Sequence, residues 1–318
     1  MTKAEVSVVI PTRNGGDRFR SVLETVLAQE SSRGFEVVVV DSSSDDGTPE
    51  VLERMAAKDS RLTVHAIALE DFGHGKTRNF AIERTSGQYI AMLTQDAMPA
   101  SDRWLDTLVE GLCNSDDMAG VVGRQIPYAD APLCSRRELY DHFERLKASA
   151  DVIRIDDPDR YAEDESLRQV LHFFSDNNAA LKRSVWEEIP YPDVPFGEDQ
   201  LWAESVIKAG YAKAYRHDAV VYHSHAYSVR EMYLRQREEA KYYGRAFGYR
   251  IVPTLRDVPR TAYDHIRADI NYRNLQSDAS ATWAALAGSG VLNVARALGQ
   301  YAGGRDAAIS GDGRRRQM

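Results

Sequence analysis

Four times before residue 115 the chain passes from a short β-branched run, through a loop of Gly, Asp, Ser or Thr, into a segment whose apolar residues recur at helical spacing. VSVVI (6–10) stops at Pro11 and precedes a helical period over 17–30; EVVVV (36–40) ends at Asp41 and precedes one over 48–58. Residues 62–69 alternate like a strand before a helix opening near Lys76, and QYIAML (88–93) runs into Thr94-Gln-Asp-Ala97 and a helix over 102–114. Strands that alternate with helices predict a mostly parallel sheet covered on both faces, and four consecutive valines fit a strand buried on both sides. Ligands of such sheets bind beyond the carboxyl ends of the strands, so the loops after residues 10, 40, 69 and 93 are expected to share one rim.

Beyond that frame the pattern weakens. Residues 126–168 read as a surface insertion with one helix at 135–148, order returns with DNNAALKR (176–183), and the chain beyond Ser228 reads as helical, ending in a frayed tail over 311–316. The expected division is a catalytic domain over 1–227, with its nucleotide-binding part at 1–100 and its acceptor part at 101–227, and a helical extension over 228–318. A net charge of −8 argues against a broad nucleic-acid surface. The two cysteines, Cys113 and Cys134, make neither a disulfide framework nor a zinc motif, which fits a reducing cytoplasm. Neither a signal-peptide stretch nor an 18-residue uncharged apolar window is present, so the expected protein is cytoplasmic, soluble or peripheral on the inner face of the membrane.

The rim loops hold most of the unusual chemistry. Asp41, at a strand end and well before the next helix, can accept hydrogen bonds from a nucleobase or ribose, whereas Asp45 or Asp46 is a candidate helix cap. Asp96, beside Gln95, is placed to hold a divalent cation bridging phosphates. Glu198 and Asp199 open a helix after a Pro-Phe-Gly turn; the macrodipole accounts for one of them, and the other is a candidate general base. His223 and His225 alternate on a strand-like stretch, where one can complete a metal site begun by Asp96 and the other packs against protein or acceptor. DFGHGKTRN (71–79) contains Gly75-Lys76-Thr77, the end of an NTPase phosphate loop, but the glycine required five residues before Gly75 is Glu70. An acid there places negative charge where phosphates would lie.

Together these residues resemble an inverting family 2 glycosyltransferase of the GT-A (Rossmann-like) fold, over about residues 6–227. VVIPTRN (8–14), carrying Pro11, Thr12, Arg13 and Asn14, resembles the family's opening strand and loop. VDSSSDDGT (40–48), with Asp41 and Ser43, resembles its base-binding loop, Gln95-Asp96 stands at its D-x-D, and Glu198-Asp199 matches its E-D motif. Two positions depart from the pattern: Ser42 replaces the second Asp of the base loop, and Thr94 the first Asp of D-x-D. The stretch DFGHGKTRN with TQDA (94–97) resembles the subset that transfers rhamnose from dTDP-L-rhamnose in bacterial polysaccharide assembly.

The resemblance implies direct displacement at the anomeric carbon with inversion. It places His74, Gly75, Arg78 and Asn79 at the nucleotide diphosphate, Asp199 as base, and Mg²⁺ or Mn²⁺ on Asp96 with His223 or His225. The acceptor is a hydroxyl of a glycan or lipid-linked saccharide. The same reaction with a UDP-hexose or UDP-N-acetylhexosamine stays open, and a non-catalytic nucleotide-sugar-binding protein is the more distant alternative. The C-terminal helices, where Arg and Lys mix with Tyr, Leu and Met over 227–249, suit either a membrane interface or a homodimer.

Overall fold

The valines of the first two strands divide by parity between two cores. Val6, Val8 and Ile10 with Val37 and Val39 face Phe19, Val22, Leu23 and Val26 of the helix Gly16–Leu27 and Trp104, Leu105 and Leu108 of the helix Trp104–Glu110. Val9, Val38 and Val40 face Ala81 and Ile82 of the helix His74–Ile82 and Trp202, Ala203 and Val206 of the helix Glu198–Lys208. Side chains that alternate across a strand, each face covered by helices, explain why these runs lack polar alternation. Full burial of each such side chain contributes about 1.5–3 kcal/mol.

A computed structural model describes residues 4–148, 152–276 and 282–315. Nine strands form one sheet: β1 Val6–Thr12, β2 Phe35–Asp41, β3 Leu62–Ala66, β4 Tyr89–Leu93, β5 Met98–Pro99, β6 Met118–Ile126, β7 Val152–Ile153, β8 Asn178–Lys182 and β9 Ala212–Tyr222. The order is β3-β2-β1-β4-β8-β6-β9-β5, with β7 also paired to β9. β1 to β4 are parallel as expected, and so are β6 and β9. β8 is antiparallel to both β4 and β6, and β5 and β7 are antiparallel to β9. The sheet is therefore mixed, because β8, which DNNAALKR did not reveal as a strand, and the short β5 and β7 run against their neighbours.

This reversal matters for the site. Leu93 pairs with Asn178, so the start of β8 meets the end of β4, and Asp176 and Asn177 arrive at the rim where β1 to β4 end. β6 runs antiparallel to β8, and with β9 beside it also ends on that rim, at Ile126 and Tyr222. Asn178 staples the corner: its carboxamide accepts from Trp104 Nε1 at 2.9 Å and donates to the carbonyls of Arg124 and Ala219.

The described chain forms two compact units, residues 1–126 with 143–223, and residues 127–142 with 224–318. The sequence suggests one boundary, at 227, and the second compact unit also takes in 127–142. The first unit also has helices where a polar insertion was expected: Pro158–Glu163 and Glu165–His172, capped by Asp157 and Asp164. The second contains Val229–Ala246, opened by a Ser228–Glu231 capping box, Val258–Gln276, and Trp283–Arg315. This last helix includes residues 311–315 of the stretch expected to fray, and Arg316 lies outside the described residues. No described helix is long and apolar enough to cross a membrane.

Candidate active site

The rim loops are tied to one another by side chains. Gln95 Oε1 accepts from the Thr12 hydroxyl at 2.7 Å and from the Arg13 N–H at 2.8 Å, joining the ends of β4 and β1. Asn14 joins the β1 and β2 loops, its Oδ1 accepting from Asp45 N–H at 2.9 Å and its N–H donating to Ser44 Oγ at 2.8 Å. The Ser43 hydroxyl donates to the Ile67 carbonyl at 2.9 Å, adding the loop after β3. Asn14 and Ser43 hold left-handed backbone, at φ 49° and 58°. Strain at non-glycine residues persists where surrounding structure enforces it, often around a ligand. Asp41 closes its own loop, accepting from Ser44 N–H at 3.1 Å and from the Ser44 hydroxyl.

Asp96 meets His223 at the same rim, with Oδ1 3.6 Å from Nε2. Gln125 sets the imidazole: its amide Nε2 donates to Ser175 Oγ at 3.1 Å, and its Oε1 lies 2.9 Å from His223 Nδ1. Nδ1 then carries the proton and Nε2 presents a lone pair toward the carboxylate. A hydrogen-bonded imidazole beside a carboxylate is the donor chemistry a divalent cation takes, so these residues fit the expected metal. His225, two residues after His223, falls in the second unit and stacks on Tyr227. β9 ends at Tyr222, so the two histidines are not on a regular strand as their alternation suggested.

A second cluster lies beside the head of the helix Glu198–Lys208. Arg78, 8% exposed, places Nε 2.7 Å from Asp176 Oδ2 and Nη1 2.5 Å from Glu198 Oε1. Asp176 Oδ1 also accepts from the Tyr191 hydroxyl at 2.7 Å. Asp199 is partly exposed, and its Oδ1 accepts from Gln200 N–H. Although the residue keeps some exposed surface, enclosure of its carboxyl by the surrounding protein, and then Glu198 and Asp176, push that carboxyl up to about 8, with Arg78 opposing. Asp176 rises to about 6 by burial despite Arg78. Lys213, fully enclosed and donating to the Phe173 carbonyl at 2.6 Å, is lowered by burial to about 7. A carboxyl of raised proton affinity is, once deprotonated, a stronger base toward a hydroxyl than an ordinary carboxylate.

Several of the expected residues also make contacts within the protein. Arg78 and Asn79, expected at a diphosphate, spend their polar groups inside the protein. The Asn79 carboxamide accepts from Trp186 Nε1 at 2.8 Å and binds both main-chain groups of Tyr191. Gly75 is required by packing, since a Cβ there would lie 2.1 Å from the Pro192 carbonyl oxygen. Of the paired acids, Glu198 is committed to Arg78, which separates it from Asp199. His74 begins its helix with its ring against Phe72, and Lys76 is exposed beside Asp71. Asp176, Tyr191, Gln125 and Lys213 were missed; the only available signal was the run Asp176-Asn177-Asn178, which reads as a turn.

Parallel strands ending at one rim, an acid-headed helix beside it, and a reversed strand preceded by the further acid Asp176 define a GT-A glycosyltransferase. The chain belongs to Glycosyl transferase family 2, whose family model matches residues 7–190, more than half of its length. It is 34% identical over 238 residues to O-antigen chain rhamnosyltransferase RfbN of Salmonella typhimurium, covering 73% of this chain and 70% of that one. O-antigen chain rhamnosyltransferase WbaN of Salmonella anatum is 29% identical over 235 residues, covering 72% and 69%. Mannosyltransferase PcManGT from Pyrobaculum calidifontis, solved with GDP-Man and Mn2+, shares the fold at TM-score 0.63 and 19% identity over 98% of this chain and 87% of that one. S. aureus TarS 1-349, solved with UDP-GlcNAc, does so at TM-score 0.55 and 16% identity, over 96% and 92%.

Proposed function

We propose that this enzyme transfers L-rhamnose from dTDP-L-rhamnose to a hydroxyl of a glycan or lipid-linked glycan in bacterial surface polysaccharide assembly. The observation that carries the donor is the likeness to two O-antigen rhamnosyltransferases over roughly seven tenths of the chain. The DFGHGKTRN and TQDA stretches agree with it.

In this reading the loop of Pro11, Thr12, Arg13 and Asn14 and the loop of Asp41 and Ser43 receive the nucleoside, with His74 at the diphosphate. Asp96 and His223 would hold Mg²⁺ or Mn²⁺, and His225 is the sequence-based candidate for a third donor. When bound, such an ion neutralises charge on the departing diphosphate. Asp199 takes the proton of the acceptor hydroxyl; the acceptor's oxygen bonds to the anomeric carbon from the face opposite the nucleotide as the bond to the diphosphate breaks. Configuration inverts.

The C-terminal unit supplies a further part of the reading. In the helix Trp283–Arg315, Trp283, Val291, Val294 and Leu298 are exposed at spacings that share one face. Lys and Arg outnumber Asp and Glu in this unit although the whole chain is acidic. We read this face as peripheral contact with an anionic membrane bearing the acceptor, ahead of a homodimer. Co-sedimentation with anionic vesicles, weakened by Trp283→Ser with Val294→Ser, tests it; a stable dimer without vesicle binding favours the other reading.

The donor is tested with a panel of dTDP- and UDP-sugars, with and without Mn²⁺, reading nucleotide release and product anomer by NMR. Metal-dependent turnover of dTDP-L-rhamnose with inversion is expected. Preference for a UDP-hexose overturns the donor assignment.

A further inference from the structure

Gly197 sits in left-handed backbone at φ 74°, so the chain turns sharply just before Glu198 and Asp199. What holds this turn comes from the helix His74–Ile82, which meets residues 190–198 at three successive points. Gly75 lies under Pro192, Asn79 grips the Tyr191 main chain, and Arg78 reaches Glu198 at 2.5 Å. Arg78 also donates to the His74 carbonyl of its own helix at 3.2 Å, and its Nε meets Asp176 at 2.7 Å. Asp176 in turn is held by the Tyr191 hydroxyl. The guanidinium is the shared member of this network, with an acid on either side.

We propose that Arg78 is a positioning residue for sugar transfer: by bridging Asp176 before β8 and Glu198 at the head of its helix, it fixes the turn that presents Asp199 to the acceptor. This rests on the reading of Asp199 as the base. A guanidinium that gripped a diphosphate would offer its fork to the ligand; here Nε and Nη1 already face two enclosed carboxylates.

The charges point the same way. The groups acting on Asp199 are Glu198 on its own helix, Asp176 before β8, and Arg78; Lys213 on β9 and Tyr191 feel Asp199 in turn. Three acids share the enclosed guanidinium, which opposes the rise in the proton affinity of Asp199. Loss of Arg78 therefore both frees the turn and leaves Asp199 holding its proton to higher pH.

Arg78→Met, Arg78→Lys and Asp176→Asn, each in the full chain, test this by the pH dependence of kcat together with calorimetric binding of dTDP. Arg78→Met is expected to lower kcat about 10- to 100-fold, as a misplaced catalytic group does. Its rising pH limb should move upward while dTDP affinity stays within about twofold, and Arg78→Lys should recover part of the rate by restoring the cation. Asp176→Asn, which removes one acid and keeps an oxygen for Tyr191, should move the limb downward. If Arg78→Met does not fold, the downward shift of the limb in Asp176→Asn and a lowered kcat at kept dTDP affinity in Arg78→Lys decide. Loss of dTDP binding at unchanged kcat overturns the proposal in favour of a diphosphate contact, and an unmoved limb in the folded variants also overturns it. Full transfer by Asp199→Ala would instead sink the reading beneath it, a result that Arg78 variants cannot mimic.

Discussion

Asn79 binds the main chain of Tyr191 from both sides, its Nδ2 donating to the Tyr191 carbonyl at 2.8 Å and its Oδ1 accepting from the Tyr191 N–H at 3.1 Å. Trp186 Nε1 donates to the same oxygen. Asn79→Ala would leave three polar groups without partners, each costing about 1–3 kcal/mol when buried. A net loss of about 2–4 kcal/mol in denaturant unfolding is expected, with dTDP affinity of the folded variant kept. Weaker dTDP binding at unchanged stability would return Asn79 to the diphosphate.

Asp199 governs rate through its proton. As a base it works when deprotonated, so kcat should rise with pH up to about 8, following the carboxyl that burial and the neighbouring acids push up to about 8. Asp199→Asn keeps the shape and removes the base, and should lower kcat by about 10²–10⁴-fold with donor affinity intact. A flat profile between pH 6 and 8.5, or a fully active Asp199→Asn, would remove Asp199 from the chemistry.

Stability should respond to pH in two opposed directions. Asp199 is at 3.8 in the unfolded chain and about 8 when folded, so the folded state binds more protons in that window and stability falls as pH rises through it. Lys213 goes from 10.5 unfolded to about 7 folded, so the folded state binds fewer protons and stability is regained as pH climbs from about 7 to 10.5. Thermal unfolding of the ligand-free protein should show a shallow minimum near pH 7 to 8. In Asp199→Asn the falling branch should flatten, and in Lys213→Met the rising one; a single monotonic trend in all three would contradict both assignments.

Gln125 orients the imidazole of His223 and does not need to touch a metal to matter. Gln125→Leu removes the acceptor at Nδ1 and should weaken Mn²⁺ activation about 10- to 100-fold, the usual effect of losing such an outer partner. His223→Ala should weaken it further, and excess Mn²⁺ should restore Gln125→Leu more fully than His223→Ala. Equal activation of all three proteins by Mn²⁺ would remove His223 from the metal site.

Much of the rim was legible because its signals are local. The runs 6–10, 36–40 and 88–93 are rich in apolar residues and bounded by loop residues, and Asp41 and Asp96 stand out as acids at or just beyond the ends of two of them. Asp96 and the pair Glu198-Asp199 stand out for the same reason, each at the junction of two elements. Asp176 did not, because its role depends on β8 entering the sheet antiparallel beside β4, a pairing that nothing in DNNAALKR encodes on its own. Gln125 and Lys213 were hidden likewise, each an unremarkable letter until β6 and β9 lie side by side.

The segment 71–79 shows where the division falls. Its letters alone exclude a phosphate loop, since an acid at Glu70 cannot curl backbone N–H groups around phosphates, and they tie the chain to a sugar-transferring family. They could not say which way Arg78 points. That was decided by partners that reach it only in the fold, Glu198 standing 120 residues further along the chain. A strand or a helix is set by neighbours a few residues apart, whereas a buried guanidinium goes wherever the tertiary structure brings carboxylates to meet it.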